Sequence, residues 1–212
     1  MEKLLLAAAV MSFFLQGCAR TCTVRVNGFL EAGKAIRDGA AIYVAADANS
    51  PNPIFEKEIK GKIEQMLSQR GYSVAAGEEL ADYRLGFDFG VHRREVWGVQ
   101  SYYGPDWFGY GGYRGSHYYG WYGAHIPYTE VYHDQWLSIR VSDTGRENAA
   151  AKGAVIWVGE AVTTRFSADM RETINYLLAA VFEYFGRDTK KRTRVKIEQS
   201  DPRITELTRY GY

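Results

Sequence analysis

Apolar residues in this chain first run together and then recur at two different periods. Lys3 precedes Leu4 to Leu15, an almost wholly apolar run that is too short to span a bilayer as a permanent helix and has the length of a cleaved secretory leader. Beyond it, Thr23 to Phe29 and Ala40 to Ala46 are short β-branched or apolar stretches separated by Gly39, and they predict two strands. Ser50-Pro51-Asn52-Pro53 breaks the chain. Asn52 is placed to cap a helix whose first residue, Pro53, has no N–H to satisfy. Phe55, Ile59, Ile63, Met66 and Leu67 then recur at helical spacing until Gly71. Tyr83, Leu85, Phe87, Phe89 and Val91 alternate with polar or small neighbours, the cleanest period of two in the chain. Leu137, Ile139 and Val141 alternate likewise, and Val155 to Thr163 predicts an antiparallel neighbour for them. Ser167 is placed to cap a second helix with Asp169 in its first turn, and Met170, Ile174, Leu177, Leu178, Val181, Phe182 and Phe185 form its apolar stripe before Gly186.

This order predicts an α+β fold: a mainly antiparallel sheet of about five strands with two amphipathic helices on one face. Two helices and so few strands do not close a membrane barrel. The expected organisation is a leader over 1–17, a tether over 18–22, one folded domain over 23–186 and a basic, polar, loosely held tail over 187–212. In the tail, Arg187, Lys190, Lys191, Arg192, Arg194 and Lys196 follow a helix C-terminus, where cations complement the dipole; anionic lipid head groups are the alternative partner.

Leu15-Gln16-Gly17-Cys18 closes the leader in the manner of a bacterial lipoprotein signal, with a small residue before the cysteine and an aliphatic one three positions before it. The expectation is cleavage between Gly17 and Cys18 and acylation of Cys18. One acyl chain holds only marginally, so two or three give stable attachment. Ala19 replaces the Asp that generally retains such proteins in the inner membrane, so the expected location is the outer membrane, facing the periplasm. Cys22 is then the one remaining thiol, read as inert in the tether, with a cross-link to a partner as the alternative.

The charges nearly cancel at +1, which leaves no global field for nucleic acid. Aromatic residues are 15% of the chain, and many fall between Val99 and Gly123. That insert carries Tyr102, Tyr103, Trp107, Phe108, Tyr110, Tyr113, Tyr118, Tyr119, Trp121 and Tyr122 spaced by seven glycines. It is far longer than a hairpin needs. Aromatic rings with a polar edge suit stacking on sugars, docking a protein or lying at a membrane interface; a Gly/Tyr insertion folded back over the sheet is the plain alternative.

Catalytic signals are absent from the sequence. His92, His117, His125 and His133 show no metal-ligand spacing, so no metal or cofactor is expected. His133 and Asp134 are neighbours on a strand and point to opposite faces, which defeats an acid–base pair. There is no nucleophile elbow and no phosphate-cradling loop. Asp82 is expected to shape the start of a strand rather than to catalyse.

The helix ending Met66-Leu67-Ser68-Gln69-Arg70-Gly71-Tyr72, Ala81-Asp82-Tyr83 opening a strand, Leu137 to Asp143, the Ile156-Trp157-Val158-Gly159-Glu160-Ala161 strand and the closing amphipathic helix, together with the lipobox, resemble the bacterial lipoproteins grouped as domain of unknown function 4136. The resemblance spans roughly Thr23 to Phe185. It implies an envelope-anchored α+β domain with no established activity and transfers no catalytic residue. The chain departs from it in the aromatic insert. The expected function is a non-enzymatic envelope lipoprotein, held by its lipid and acting as a binding or assembly module with an envelope protein or glycan partner at Tyr102 to Tyr122. A hydrolase acting on envelope glycans and a purely structural envelope protein are the alternatives.

Overall fold

The computed structural model describes residues 21–47, 50–103, 123–146 and 149–209. Seven strands form one mixed sheet: β1 (Thr21–Leu30), β2 (Ala41–Ala45), β3 (Ser73–Val74), β4 (Tyr83–Tyr103), β5 (Gly123–Asp143), β6 (Val155–Arg165) and β7 (Thr193–Glu198). Their order is β3-β2-β4-β5-β6-β1-β7. The three α-helices among the described residues are α1 (Pro53–Gln69), α2 (Ile174–Glu183) and α3 (Pro202–Arg209).

This corrects the expectation of a mainly antiparallel sheet of about five strands with two helices. The fold is a strand-dominated α+β arrangement whose sheet is mixed, because β2 pairs in parallel with both β3 and β4. The long α1 supplies the crossover that parallel neighbours require. β3 has only two residues, too few to carry a period. The seventh strand and third helix come from the segment expected to be a loose tail. There Val195 and Ile197 face the core while Arg194 and Lys196 stay wet, so the cations are one face of a strand. The supposed tether is likewise shorter, since β1 begins at Thr21 and Cys22 is buried, its Sγ 3.7 Å from Thr163 Oγ1.

Each helix forms for a local reason. Asn52 Oδ1 accepts from Phe55 N at 3.1 Å, Pro53 stands at the first position of α1, and Gly71 leaves it with a positive φ of 84°. The segment before α2 is a 3-10 turn, Met170–Glu172, capped by Asp169, and α2 itself starts only after Thr173, later than Ser167 suggested. Gln135, fully buried in β5, holds that segment by donating to the carbonyls of Ser167 (2.9 Å) and Asp169 (3.2 Å) and accepting from Thr173.

One face of the sheet is covered by the helices and the other is open, as the alternating burial of β1, β6 and β7 records. A single core joins all three helices to that face, from Val24 and Ile42 to Phe182 and Leu207. Gly28 and Gly159 are cross-strand partners within it. A Cβ on Gly28 would stand 2.5 Å from the Arg187 carbonyl oxygen, and one on Gly159 would stand 2.2 Å from the Trp157 ring. Trp157 Nε1 donates to that same carbonyl at 3.1 Å. This close approach pins the chain leaving α2 onto β1 and delivers β7 to the edge beside it.

Candidate functional site

The described residues that stand apart from the core are the outer halves of β4 and β5. The two strands pair without a register shift from Tyr83↔Asp143 to Tyr103↔Gly123. Their other neighbours stop far earlier: β2 accompanies β4 only as far as Gly86, and β6 accompanies β5 only between His133 and Ser142. From about Arg93 and Tyr132 outward, β4 and β5 are therefore a two-stranded ribbon projecting past the end of the sheet.

The ribbon changes character along its length. At its base the polar groups are paired: Arg94 lies 3.4 Å from Asp134 Oδ2 and 5.8 Å from the centre of the Tyr132 ring, and Arg93 lies 2.8 Å from Glu95. Tyr132 rests its ring 4.9 Å from that of Phe166 and donates its hydroxyl to Glu130, a hydrogen bond that raises the phenol above its ordinary range. Further out, Trp97 is 76% exposed, Val99 65% and Ile126 54%. Trp97 and Val99 continue the face that is buried in the sheet, whereas Val96, Ile126 and Tyr128 continue the open face, so both sides of the ribbon are apolar there. Tyr128 lies across its partner Gly98, where a Cβ would stand 2.5 Å from the ring.

Among the described residues, cavities open beside the sheet. One, about 680 Å³, lies on the open face above Gly86, with Arg84 3.4 Å from Glu78 and Arg140 bonded to Asp88. Another, about 930 Å³, opens where β6 ends and α3 packs, and its lining includes Arg165, Arg171, Arg209 and Glu172. Arg165 Nε is buried there without a hydrogen-bond partner among the described residues.

Of the residues singled out from sequence, Tyr102 and Tyr103 are the last two of β4, with only their backbone described. Gly17, Cys18, Trp107, Tyr110, Tyr113, Tyr118, Tyr119, Trp121 and Tyr122 lie outside the described residues. Within what is described, the ends of the 99–123 insert are strand, and the exposed Trp97 and Ile126 beside it were not singled out. His133 Nδ1 stands 2.9 Å from the Phe166 carbonyl oxygen, whereas Asp134 accepts from Thr164 Oγ1 at 2.5 Å. Asp82 accepts from Ala41 N at 2.9 Å and lies 3.4 Å from Arg37, which ties β2 to the start of β4. Among the described residues no three of His, Cys, Asp and Glu are grouped to hold a metal ion.

The family model described as Domain of unknown function (DUF4136) matches residues 34–185, well over half of the chain. The chain belongs to this family. The DUF4136 span runs from just before β2 to the end of α2 and leaves β1, β7 and α3 outside it. Solved structures with likeness to this DUF4136 chain include a PDZ domain protein from Parabacteroides distasonis, at 12% identity and a TM-score of 0.49, covering 91% of this chain but only 42% of that one. A PelC dodecamer from Paraburkholderia phytofirmans shows 13% identity and a TM-score of 0.41, covering 76% of this chain and 98% of that one. A DUF4136 family protein from Bacteroides thetaiotaomicron shows 19% identity and a TM-score of 0.39, covering 76% of this chain and 92% of that one. No curated protein matches the chain.

Proposed function

We propose that this DUF4136 protein is an envelope lipoprotein, acylated on Cys18 after removal of residues 1–17 and held at the outer membrane facing the periplasm. Its α+β domain is a non-catalytic binding or assembly module that makes its contact through the β4–β5 ribbon and the Tyr/Gly-rich segment between the strands. The observation carrying this reading is the ribbon itself, which leaves the sheet and exposes Trp97, Val99 and Ile126. A two-stranded hairpin is at best marginal in water, and exposed apolar patches mark contact surfaces. The lipobox Leu15-Gln16-Gly17-Cys18 supports the anchor. No specific observation favours the hydrolase alternative.

Two measurements test the reading. Cys18→Ser is expected to abolish labelling by a fatty-acid analogue and to release the protein from the membrane fraction; equal labelling of both forms refutes the anchor. Crosslinking in intact envelopes is expected to capture the native chain through its ribbon, and undiminished capture after residues 102–122 are replaced by a Gly-Ser linker refutes the contact site.

A further inference from the structure

The ribbon and the N-terminal anchor leave the sheet at the same end. β1 is antiparallel to β6 and β6 to β5, so the start of β1 lies on the side of the sheet where β5 starts, which is the ribbon side. Arg25 pairs with Val162, Val162 with Trp136, and Trp136 with Gly90, so Thr21, four residues before Arg25, is level with Arg94, four beyond Gly90. From there β4 continues nine residues to Tyr103, a reach of about 30 Å at roughly 3.3 Å per residue. Cys18 precedes Thr21 by three residues, which span at most about 11 Å when fully extended. With the strand axis along the membrane normal, a chain acylated at Cys18 brings its ribbon to the membrane, because three residues span much less than the ribbon's reach.

The chemistry of the ribbon fits that placement. Val96 to Tyr103 and Gly123 to Thr129 contain no Asp, Glu, Lys or Arg, while Arg93, Arg94, Glu95 and Glu130 crowd the base. Along the described strands charge is thus confined to the base, and the next charged residues in the sequence are Asp106 and Arg114 of the connecting segment. Trp97 and Tyr128 are residue types that collect at the lipid–water boundary. The larger of these two cavities lies at this same end, beside Gln199, which follows the β1 partner Glu198, and in its lining Arg165, Arg171 and Arg209 outnumber Glu172, a balance that suits anionic head groups. A single ribbon has two unpaired backbone edges, which bars it from the hydrocarbon interior and limits its depth to the interfacial zone.

We infer that the charge-free part of the ribbon, residues 96–100 and 126–129, beds into the interfacial zone of the phospholipid bilayer to which the chain is anchored. The inference rests on the proposed acylation of Cys18, and its test separates the two. Full-length protein matured in a bacterial host is reconstituted into phosphatidylethanolamine–phosphatidylglycerol vesicles with an environment-sensitive fluorophore at Val99→Cys or, at the far end of the sheet, at the exposed Lys34→Cys. Cys22 is buried and does not compete for the label. The expected result is that the Val99 label shifts to the blue and loses most of its emission when the vesicles carry spin-labelled lipid, while the Lys34 label keeps its emission. A Val99 label that stays bright on protein floating with the vesicles overturns the inference and leaves the anchor standing. A blue shift without quenching by lipid places the ribbon on protein and overturns it as well. Protein that does not float with the vesicles overturns the anchor and the inference together.

Discussion

Leu178 is fully buried on α2, while Glu183 on the same helix is partly exposed, 3.3 Å from Arg203. Leu178→Asp drives a carboxylate into the core and is expected to cost roughly 4 kcal/mol or more, whereas Glu183→Ala loses an exposed pair worth at most about 1 kcal/mol. Urea melts of the two variants check this; similar midpoints contradict the assignment of the buried face. Lys62 is a subtler case, being only 3% exposed. Its ammonium donates to Glu58 at 2.5 Å and to Asn175 Oδ1 at 3.0 Å, and Asn175 in turn donates to Thr208 at 3.2 Å. One polar chain therefore links α1, α2 and α3. Asn175→Ala is expected to cost about 1–3 kcal/mol by leaving the buried ammonium short of an acceptor, and adding Lys62→Met is expected to recover part of that loss. A double-mutant cycle that shows no coupling removes this account of how the helices are joined.

Among the elements, β7 and α3 were the least legible in the sequence. Thr193-Arg194-Val195-Lys196-Ile197-Glu198 alternates correctly for a strand, but only Val195 and Ile197 are apolar and the cations around them imitate a solvated tail. Its place is fixed by the remote contact of Gly28, Trp157 and the Arg187 carbonyl, which no local pattern announces. The longer elements α1, β4, β5 and β6 were legible where a period persisted over one buried face. In β4 the alternation ends at Val91, because Arg93, Arg94 and Glu95 follow and a period of two disappears once neither face is buried. α3 carries a pH signature of its own. Asp201, just before it, accepts from Arg203 through both its oxygens, and this bonding lowers its carboxyl below the usual range. A carboxylate depressed in the folded state contributes stability above its unfolded value of about 3.9, and the contribution is lost as pH falls through the folded value. Acidification below about pH 4 is therefore expected to loosen α3 first, as exchange of the amides of Ile204 to Thr208. Asp201→Asn should flatten that pH dependence, and an unchanged profile in the variant contradicts the assignment.

At the scale of the molecule, the sheet is expected to keep its stability without the segment that joins β4 to β5. Replacing residues 102–122 with a short Gly-Ser linker is expected to leave the melting midpoint nearly unchanged, since a shorter connection alters closure entropy by only about 1 kcal/mol. A large drop shows instead that the replaced segment is part of the core. The aromatic insert was legible as a feature of composition, but its setting was not, because the direction of a hairpin relative to the N-terminus depends on pairings between strands far apart in sequence. The unbroken register from Tyr83↔Asp143 to Tyr103↔Gly123 has a mechanical meaning. With no register shift between core and ribbon, the ribbon is a cantilever built into the third and fourth strands of the sheet, and a torque on its outer end is delivered to β2 and β6 on either side. A domain gripped at that end and tied at the start of β1 is held at two points about two strand spacings apart, as a bracket is, with its tilt fixed as well as its height.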